Sequence, residues 1–263
     1  MEETYQWRSH ERQYTLTKST FIKSELPEDA LPTSQVTGRK VYPQWSRERL
    51  ENEAATLKFI ASTTSIPVPR FLELYEENGL LHLVTERAVG STLEDLASNA
   101  ATKHVATKHV AECLETFILP QLHKLRHHTT GSIDANLPLI PPSRITYRDK
   151  RSSWSRKTSR LNDFVFCHND LGQHNIFVDP DTFNITAIID WEFAGYYTTE
   201  FEYPLWLSPY NEQGTDHLQT DHLIKFLDDT SECPKAADTE QNPASAGYSR
   251  FHPAEDHAVW AAS

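Results

Sequence analysis

The chain has 263 residues, a length that suits one domain of two lobes. Hydrophobic residues make up 38%, enough for a buried core, and the net charge of −12 argues against the clustered positive charge that nucleic-acid binding requires. No apolar run approaches the ~20 residues of a membrane span, and the N-terminus lacks the apolar stretch of a secretory signal. The three cysteines are far apart in sequence, so we expect neither a disulfide framework nor a zinc site. These features predict a cytoplasmic protein that binds neither nucleic acid nor membranes.

The first third of the chain has the pattern of a small sheet with one helix. Residues 14–24 carry β-branched and aromatic side chains, which predict an extended segment. Ser46 is typical of a helix N-cap, and the apolar residues after it recur at helical spacing. Residues 71–75 and 80–84 then predict a hairpin, with its turn in the intervening polar residues.

From residue 91 the apolar period becomes mainly helical. Residues 91–96 predict the start of one helix, and residues 110–127 a long helix with a kink at Pro120. Residues 129–160 are loop-like, and the basic stretch at residues 144–160 indicates a solvated loop or, as the alternative, a binding surface for an anionic substrate or phosphate. Beyond about residue 228 the chain is polar and acidic, and we expect a weakly ordered tail.

Residues 164–192 carry the pattern that points to chemistry. A buried strand at 164–167 is followed by a polar loop, a second strand at 176–178, and a third strand that ends on Asp190 and Glu192. The polar loop holds His168, Asp170 and Asn175. We expect these strand ends to bring the polar groups together on one side of a small sheet.

These residue types suit phosphoryl transfer. That reaction needs a carboxylate beside the attacking hydroxyl and hard oxygen ligands for Mg²⁺ at the phosphates. Asp170 fits the base, and Asn175 and Asp190 fit the metal ligands. We expect His168 to be structural and His174 to point elsewhere, whereas Glu192 fits either a metal contact or a cap.

The spacing His168-x-Asp170-x₄-Asn175, followed by Ile-Ile-Asp-Trp-Glu at 188–192, resembles the aminoglycoside phosphotransferase/choline kinase-like family. That resemblance implies the protein-kinase-like α+β fold, with a small β-rich N-lobe, a larger mainly helical C-lobe, and ATP between them. On this basis we assign residues 1–87 to the N-lobe, 88–228 to the C-lobe and 229–263 to the polar tail.

The resemblance also implies residues that bind ATP. Lys23 would contact the phosphates and pair with Glu53 on the first helix, and Glu86 and Ala88 would meet the adenine as a hinge. Two alternatives stay open at this point. Lys40 is the alternative to Lys23, because it lies closer in sequence to Glu53. Glu51 is the alternative to Glu53 as the carboxylate that pairs with the lysine.

The chain departs from the family pattern at its N-terminus. Only 22 residues precede Lys23, and no glycine precedes Gly38. We therefore expect the first strand or two of the N-lobe to be missing or replaced, with Ser19 and Thr20 as the best substitute for the phosphate-covering loop. Weak ATP affinity and slow turnover would follow.

The leading hypothesis is an ATP- and Mg²⁺-dependent phosphotransferase that acts on a hydroxyl of a small-molecule acceptor. The first alternative is a nucleotide-binding or inactive regulatory protein on the same fold, without a complete phosphate loop. A metal-dependent hydrolase is the third hypothesis, and it is disfavoured because Asn and Asp dominate the cluster where hydrolytic metal sites use several His ligands.

Overall fold

The computed structural model describes residues 4–96, 100–209 and 217–229. Within these ranges strands and helices both contribute, so the predicted α+β class is confirmed. The predicted weakly ordered tail lies outside the described residues from residue 230 onward. None of the helices in the described ranges combines the length and the apolar character needed to cross a bilayer.

A five-stranded antiparallel sheet occupies the N-terminal part, in the order β1-β2-β3-β5-β4. The extended segment predicted at residues 14–24 is two strands, because the Thr17 hydroxyl accepts the Thr20 N–H, 2.9 Å away, and closes a turn between them. The expectation that strands are missing ahead of Lys23 was wrong, since two strands precede the one that carries it. The five strands are β1 (Tyr5–Arg8), β2 (Gln13–Leu16), β3 (Thr20–Ser24), β4 (Phe71–Glu77) and β5 (Leu80–Glu86).

The first helix, α1 (Ser46–Thr63), packs against this sheet through the predicted apolar face, on which Leu50, Ala54 and Leu57 are buried. The prediction that Ser46 is the N-cap was wrong. Trp45 holds that position with φ 50°, and no side-chain cap is formed. The Ser46 hydroxyl instead accepts a hydrogen bond from Arg12, 2.5 Å away, a contact across 34 positions of sequence.

The hairpin of β4 and β5 confirms the sequence prediction. Its two-residue turn consists of Asn78 and Gly79, with φ 53° and φ 78°. Both angles lie in the left-handed region, which an Asn-Gly pair adopts at low cost and which matches the twist of a hairpin.

The predicted helix at residues 91–96 was wrong. Ser91 and Thr92 form a short strand, β6 (Ser91–Thr92), that pairs with Val178 and Phe177. Gly90, with φ 107°, permits this approach, because a Cβ there would lie 2.2 Å from the carbonyl oxygen of Val178. Long-range strand pairing therefore overrides the local helical pattern.

The long predicted helix is three segments. A π-helical turn at residues 114–118 separates α2 (Ala100–Cys113) from α3 (Leu119–Lys124). Pro120 explains the break, because it has no N–H to continue the α-helical hydrogen-bond ladder. The helix ends before residue 127 because β7 (Arg126–His127) pairs with β8 (Phe164–Cys167).

Two small sheets support the candidate site. One has the order β10-β9-β6, with β9 (Ile176–Val178) and β10 (Ile185–Ile188), and the other has the order β11-β8-β7, with β11 (Gly195–Tyr197). The polar loop between β8 and β9 therefore connects two different sheets. The prediction that the strands around this loop belong to one small sheet was wrong. Two further α-helices, α4 (Ser143–Arg148) and α5 (His217–Asp228), complete the α-helices of the described residues, and α4 lies in the stretch predicted as loop.

Candidate functional site

Lys23, Glu53 and Asp190 meet in one cluster, in which Lys23 and Glu53 are buried and Asp190 is partly buried. The Lys23 ammonium, on β3, lies 2.6 Å from the Glu53 carboxylate on α1 and 2.6 Å from the Asp190 carboxylate after β10. Burial alone would lower the pKa of Lys23, but Asp190 and Glu53 outweigh it and hold that pKa above its ordinary value. Lys23 is therefore protonated at neutral pH.

The two alternatives left open by the sequence lie elsewhere. Lys40 is exposed, and its ammonium donates to the carbonyl of Leu31 at 3.1 Å. Glu51 faces Arg47 on the same helix, with 3.7 Å between the charged atoms. The structure thus joins Lys23 to Glu53 and leaves Lys40 and Glu51 outside the cluster.

Asp170 and Asn175 also come together. The Asn175 amide nitrogen donates to the carbonyl oxygen of Asp170 at 2.8 Å and to its carboxylate at 3.2 Å. Because the amide nitrogen is engaged as a donor, the amide oxygen of Asn175 remains as an acceptor for a cation. The side chain of Asp190 is 30% exposed, so its carboxylate is only partly enclosed by protein.

His168 connects the Asp170 loop to the Asp190 segment. Its Nε2 donates to the carbonyl of Ile189 at 2.9 Å, and its Nδ1 accepts the backbone N–H of Asp170 at 3.2 Å. Burial lowers the pKa of His168 to about 4, so the ring is neutral and holds both loops in register. This is the structural role that the sequence predicted.

Glu202 is a residue that sequence reasoning missed. Its carboxylate accepts the backbone N–H groups of His168 and Asn169, and the Arg144 guanidinium donates to the carbonyl of Asn169 at 2.8 Å. Burial raises the pKa of Glu202 to about 7. Glu202 belongs to no sequence motif that could have identified it, because its hydrogen-bond partners lie more than 30 positions away in the chain. Arg144, which belongs to the basic stretch, therefore donates hydrogen bonds to backbone carbonyl oxygens and is not a solvated side chain.

Glu192 is neutralised by cations. Its carboxylate lies 3.1 Å from Arg49 and 3.4 Å from Arg12. Burial alone would raise the pKa of Glu192, but Arg49, Lys23 and Arg12 outweigh it and lower the pKa to about 2. The carboxylates of Glu53, Asp190 and Glu192 lie within 4.8 Å of one another, yet Lys23 already supplies the cation among them. We therefore do not interpret that triplet as a metal site.

His174 does not point elsewhere, contrary to the prediction. Its ring lies between two carboxylates, with Nε2 at 3.9 Å from Asp170 and Nδ1 at 3.7 Å from Glu94. Burial alone would lower the pKa of His174, but the Asp170 carboxylate outweighs it and raises that pKa. The local sequence could not predict this orientation, because Glu94 belongs to the turn after β6.

A cavity of about 290 Å³ opens beside Lys23. Trp7, Tyr14 and Phe21 line it from β1, β2 and β3, with neighbouring ring centroids 5.2 Å and 5.8 Å apart. Lys23, Glu53, Asp190 and the predicted hinge residues Glu86 and Ala88 line it as well. An apolar cavity with a few converging charged groups is typical of a small-molecule site.

The expected substitute for the phosphate-covering loop, Ser19–Thr20, lies beside the predicted hinge residues. The carbonyl of Ser19 accepts the N–H of Arg87 at 2.9 Å, and Thr20 pairs with Glu86. The turn between β1 and β2, residues 9–12, lies instead at the Lys23 end of the sheet, because Gln13 pairs with Ser24.

Comparison with known sequences identifies relatives. Residues 37–207 match the profile of a family described as the phosphotransferase enzyme family. A curated aminoglycoside 3'-phosphotransferase from Streptomyces ribosidificus is 28% identical over 162 residues. That alignment covers 56% of this chain and 60% of the relative, so the matched part falls short of the relative's full length.

Solved structures give weaker similarities. The crystal structure of an aminoglycoside 3'-phosphotransferase of type VIII has 20% identity and a TM-score of 0.41, over 73% of this chain and 67% of that one. The apo form of a thermostable mutant of aminoglycoside phosphotransferase APH(4)-Ia has 16% identity and a TM-score of 0.48, over 76% and 70%.

Proposed function

The chain belongs to the phosphotransferase enzyme family, and from this premise we propose that it transfers the γ-phosphate of ATP to a hydroxyl group of a small molecule. The observation that carries the proposal is the buried contact of Lys23 with both Glu53 and Asp190 at the wall of a cavity. We propose with it the two-lobed kinase-like arrangement, with lobes at residues 1–87 and 88–228.

The cavity would hold the nucleotide. An adenine ring would pack against the aromatic side chains of Trp7, Tyr14 and Phe21, because flat π-systems stack favourably at these separations. Backbone groups of Glu86 and Ala88 would hydrogen-bond the base, and the Lys23 ammonium would contact the phosphates. A protonated lysine between two carboxylates is held in one position, which suits it to bind an anion without reorganisation.

Asn175 and Asp190 fit Mg²⁺, because both offer hard oxygen atoms next to the cluster. When bound, the ion supplies positive charge that neutralises the phosphates. Charge balance favours such a cation. Glu53, Asp190 and Glu192 together face Lys23, Arg12 and Arg49, and three phosphate groups would add negative charge to that near-neutral set.

Asp170 would accept or orient the proton of the acceptor hydroxyl. Asn175 fixes its carboxylate, and the neutral His168 fixes its backbone relative to Ile189. Such positioning is the main contribution of a protein to phosphoryl transfer. Glu202 would support the same loop from its other side.

A thermal-shift titration with ATP, with and without Mg²⁺, tests the nucleotide site. We expect a metal-dependent rise in Tm for the wild type and for Lys40→Met, because ligand binding to the native state stabilises it. Lys23→Met should abolish the shift. Since Lys23→Met leaves two carboxylates buried without their cation, Lys23→Arg serves as a second variant that keeps the charge but alters the contact.

An assay of ADP release, run beside this titration, separates the leading function from its alternative. The turn of residues 9–12 contains no glycine, and this observation favours a nucleotide-binding protein without transfer activity. Mg-ATP binding together with ADP release that requires a hydroxyl acceptor supports the enzyme. Binding with no acceptor-dependent release supports a nucleotide-binding alternative, and the absence of any ATP-induced shift rejects the enzyme and supports the inactive regulatory protein.

A further inference from the structure

The turn between β1 and β2, residues 9–12, is closed by a serine and not by a glycine. The Ser9 hydroxyl accepts the backbone N–H groups of Glu11 at 3.1 Å and Arg12 at 3.0 Å. The Ser9 N–H in turn donates to the carbonyl of Arg12 at 2.9 Å. These three bonds fix the backbone of the turn locally.

Arg12 is buried although it belongs to a hairpin turn. Its relative exposure is 1%, and its guanidinium donates to the Ser46 hydroxyl at 2.5 Å and to the Ser46 carbonyl at 2.6 Å. The same guanidinium lies 3.4 Å from the Glu192 carboxylate. Burying an arginine costs free energy that only paired partners offset, so this side chain is held by all three contacts.

A second ion pair joins the same elements. Glu11, next to Arg12, lies 2.6 Å from Arg49 on α1, and Arg49 lies 3.1 Å from Glu192. The Asn52 amide, also on α1, donates to the carbonyls of Glu192 and Ala194 at 3.0 Å and 2.9 Å. The turn, α1 and the segment after Asp190 thus converge on Glu192.

These connections matter because α1 carries Glu53 and the segment after β10 carries Asp190. Both carboxylates contact Lys23 at the wall of the cavity. Any displacement of the turn would disturb the ion pairs of Arg12 and Glu11. It would therefore shift the elements that carry Glu53 and Asp190.

We propose that Arg12 is a positioning residue that couples the turn of residues 9–12 to α1 and to the Asp190 segment, and so holds the turn over the phosphate end of the nucleotide. The proposal rests on the proposed function for its nucleotide. Fixed ionic contacts then take the place of a flexible glycine-rich cover, and Glu53, Lys23 and Asp190 stay aligned in the absence of ligand.

Two measurements on Arg12→Met test this coupling. The first is backbone hydrogen exchange of the ligand-free protein, in which we expect faster exchange in both residues 9–16 and residues 46–53. The second is steady-state kinetics, in which KM for Mg-ATP should rise by about tenfold or more, the loss expected when charged hydrogen bonds are removed. Arg8→Met is the matched control, because Arg8 lies on the same hairpin but is exposed and donates to the side chain of Gln13 on the neighbouring strand at 3.0 Å.

Arg12→Lys keeps the charge but loses the planar fork, and it should give an intermediate KM and intermediate exchange. If Arg12→Met accelerates exchange only in residues 9–16 and leaves KM unchanged, Arg12 merely stabilises the hairpin and the proposal is overturned. If Arg12→Met does not fold, an unchanged KM and unchanged exchange in Arg12→Lys overturn it equally. The exchange experiment needs no nucleotide, so it still tests the coupling if the wild type fails to bind ATP.

Discussion

Glu192 is expected to make a large, pH-dependent contribution to stability. Its pKa of about 2 in the folded protein compares with an ordinary value of 4.5. A difference of that size corresponds to about 3 kcal/mol of stabilisation at neutral pH, because each pKa unit is worth about 1.4 kcal/mol. The side chain is only 8% exposed, so solvent screens the ion pairs weakly.

The sign of the pH dependence follows from the lowered pKa. Between pH 4.5 and pH 2 the unfolded state binds a proton that the folded state does not, so the stabilisation is present above pH 4.5 and is lost as pH falls through about 2. From these two values, the wild type should lose roughly 1 kcal/mol of this contribution between pH 7 and pH 3.5.

Glu192→Gln removes the charge and leaves Arg12 and Arg49 buried without it. We expect the free energy of unfolding at pH 7 to fall by about 3–5 kcal/mol, the usual cost of breaking a buried ion pair from one side. Urea unfolding followed by circular dichroism at pH 7 and pH 3.5 measures both quantities. The exposed Glu200→Gln is the matched control and should change stability by less than about 0.5 kcal/mol. A gap between wild type and Glu192→Gln that stays constant over this pH range would refute the reasoning.

Three further substitutions probe the candidate site. Asp170→Asn should lower turnover by about 10²–10⁴-fold, the range for a positioned acid or base, while ATP binding measured by thermal shift stays unchanged; turnover within about threefold of wild type would reject the role. Asp190→Ala should raise the Mg²⁺ concentration needed at fixed ATP, and an unchanged Mg²⁺ dependence would contradict the assignment. Glu202→Gln replaces an acceptor of two N–H groups with a group that cannot accept both. It should lower kcat above pH 7, where Glu202 is ionised, and flatten the decline in wild-type activity below that pH, as a pH–rate profile would show.

Features set by local sequence were predictable. The β4–β5 hairpin follows from an Asn-Gly pair between alternating strands, and the buried face of α1 follows from helical spacing. The family resemblance, which the match over residues 37–207 confirms, was carried by motif spacing in one loop and one strand end. Local propensity and short-range spacing determine both kinds of feature.

Features set by long-range contacts were not predictable. Ser91 and Thr92 have a helical pattern but pair with β9. Ser46 has the residue type of a helix cap, but its hydroxyl accepts a hydrogen bond from Arg12. The contact between Arg12 and Glu192 spans 180 positions, and that between Asn52 and the Glu192 carbonyl spans 140. No periodicity or motif in one sequence encodes which distant polar groups will meet when the sheet and α1 pack on the Asp190 segment.

The central proposal, phosphate transfer from ATP to a small-molecule hydroxyl, is tested most directly by the product. Wild-type protein is incubated with Mg-ATP and a panel of hydroxyl-bearing acceptors that includes aminoglycosides, and ADP and phosphorylated acceptor are quantified by chromatography and mass spectrometry. The proposal predicts equal amounts of ADP and phosphorylated acceptor with wild type and Lys40→Met, and almost none with Asp170→Asn. If ADP forms at the same rate without an acceptor, or if Asp170→Asn matches the wild type, phosphate transfer by this site is contradicted.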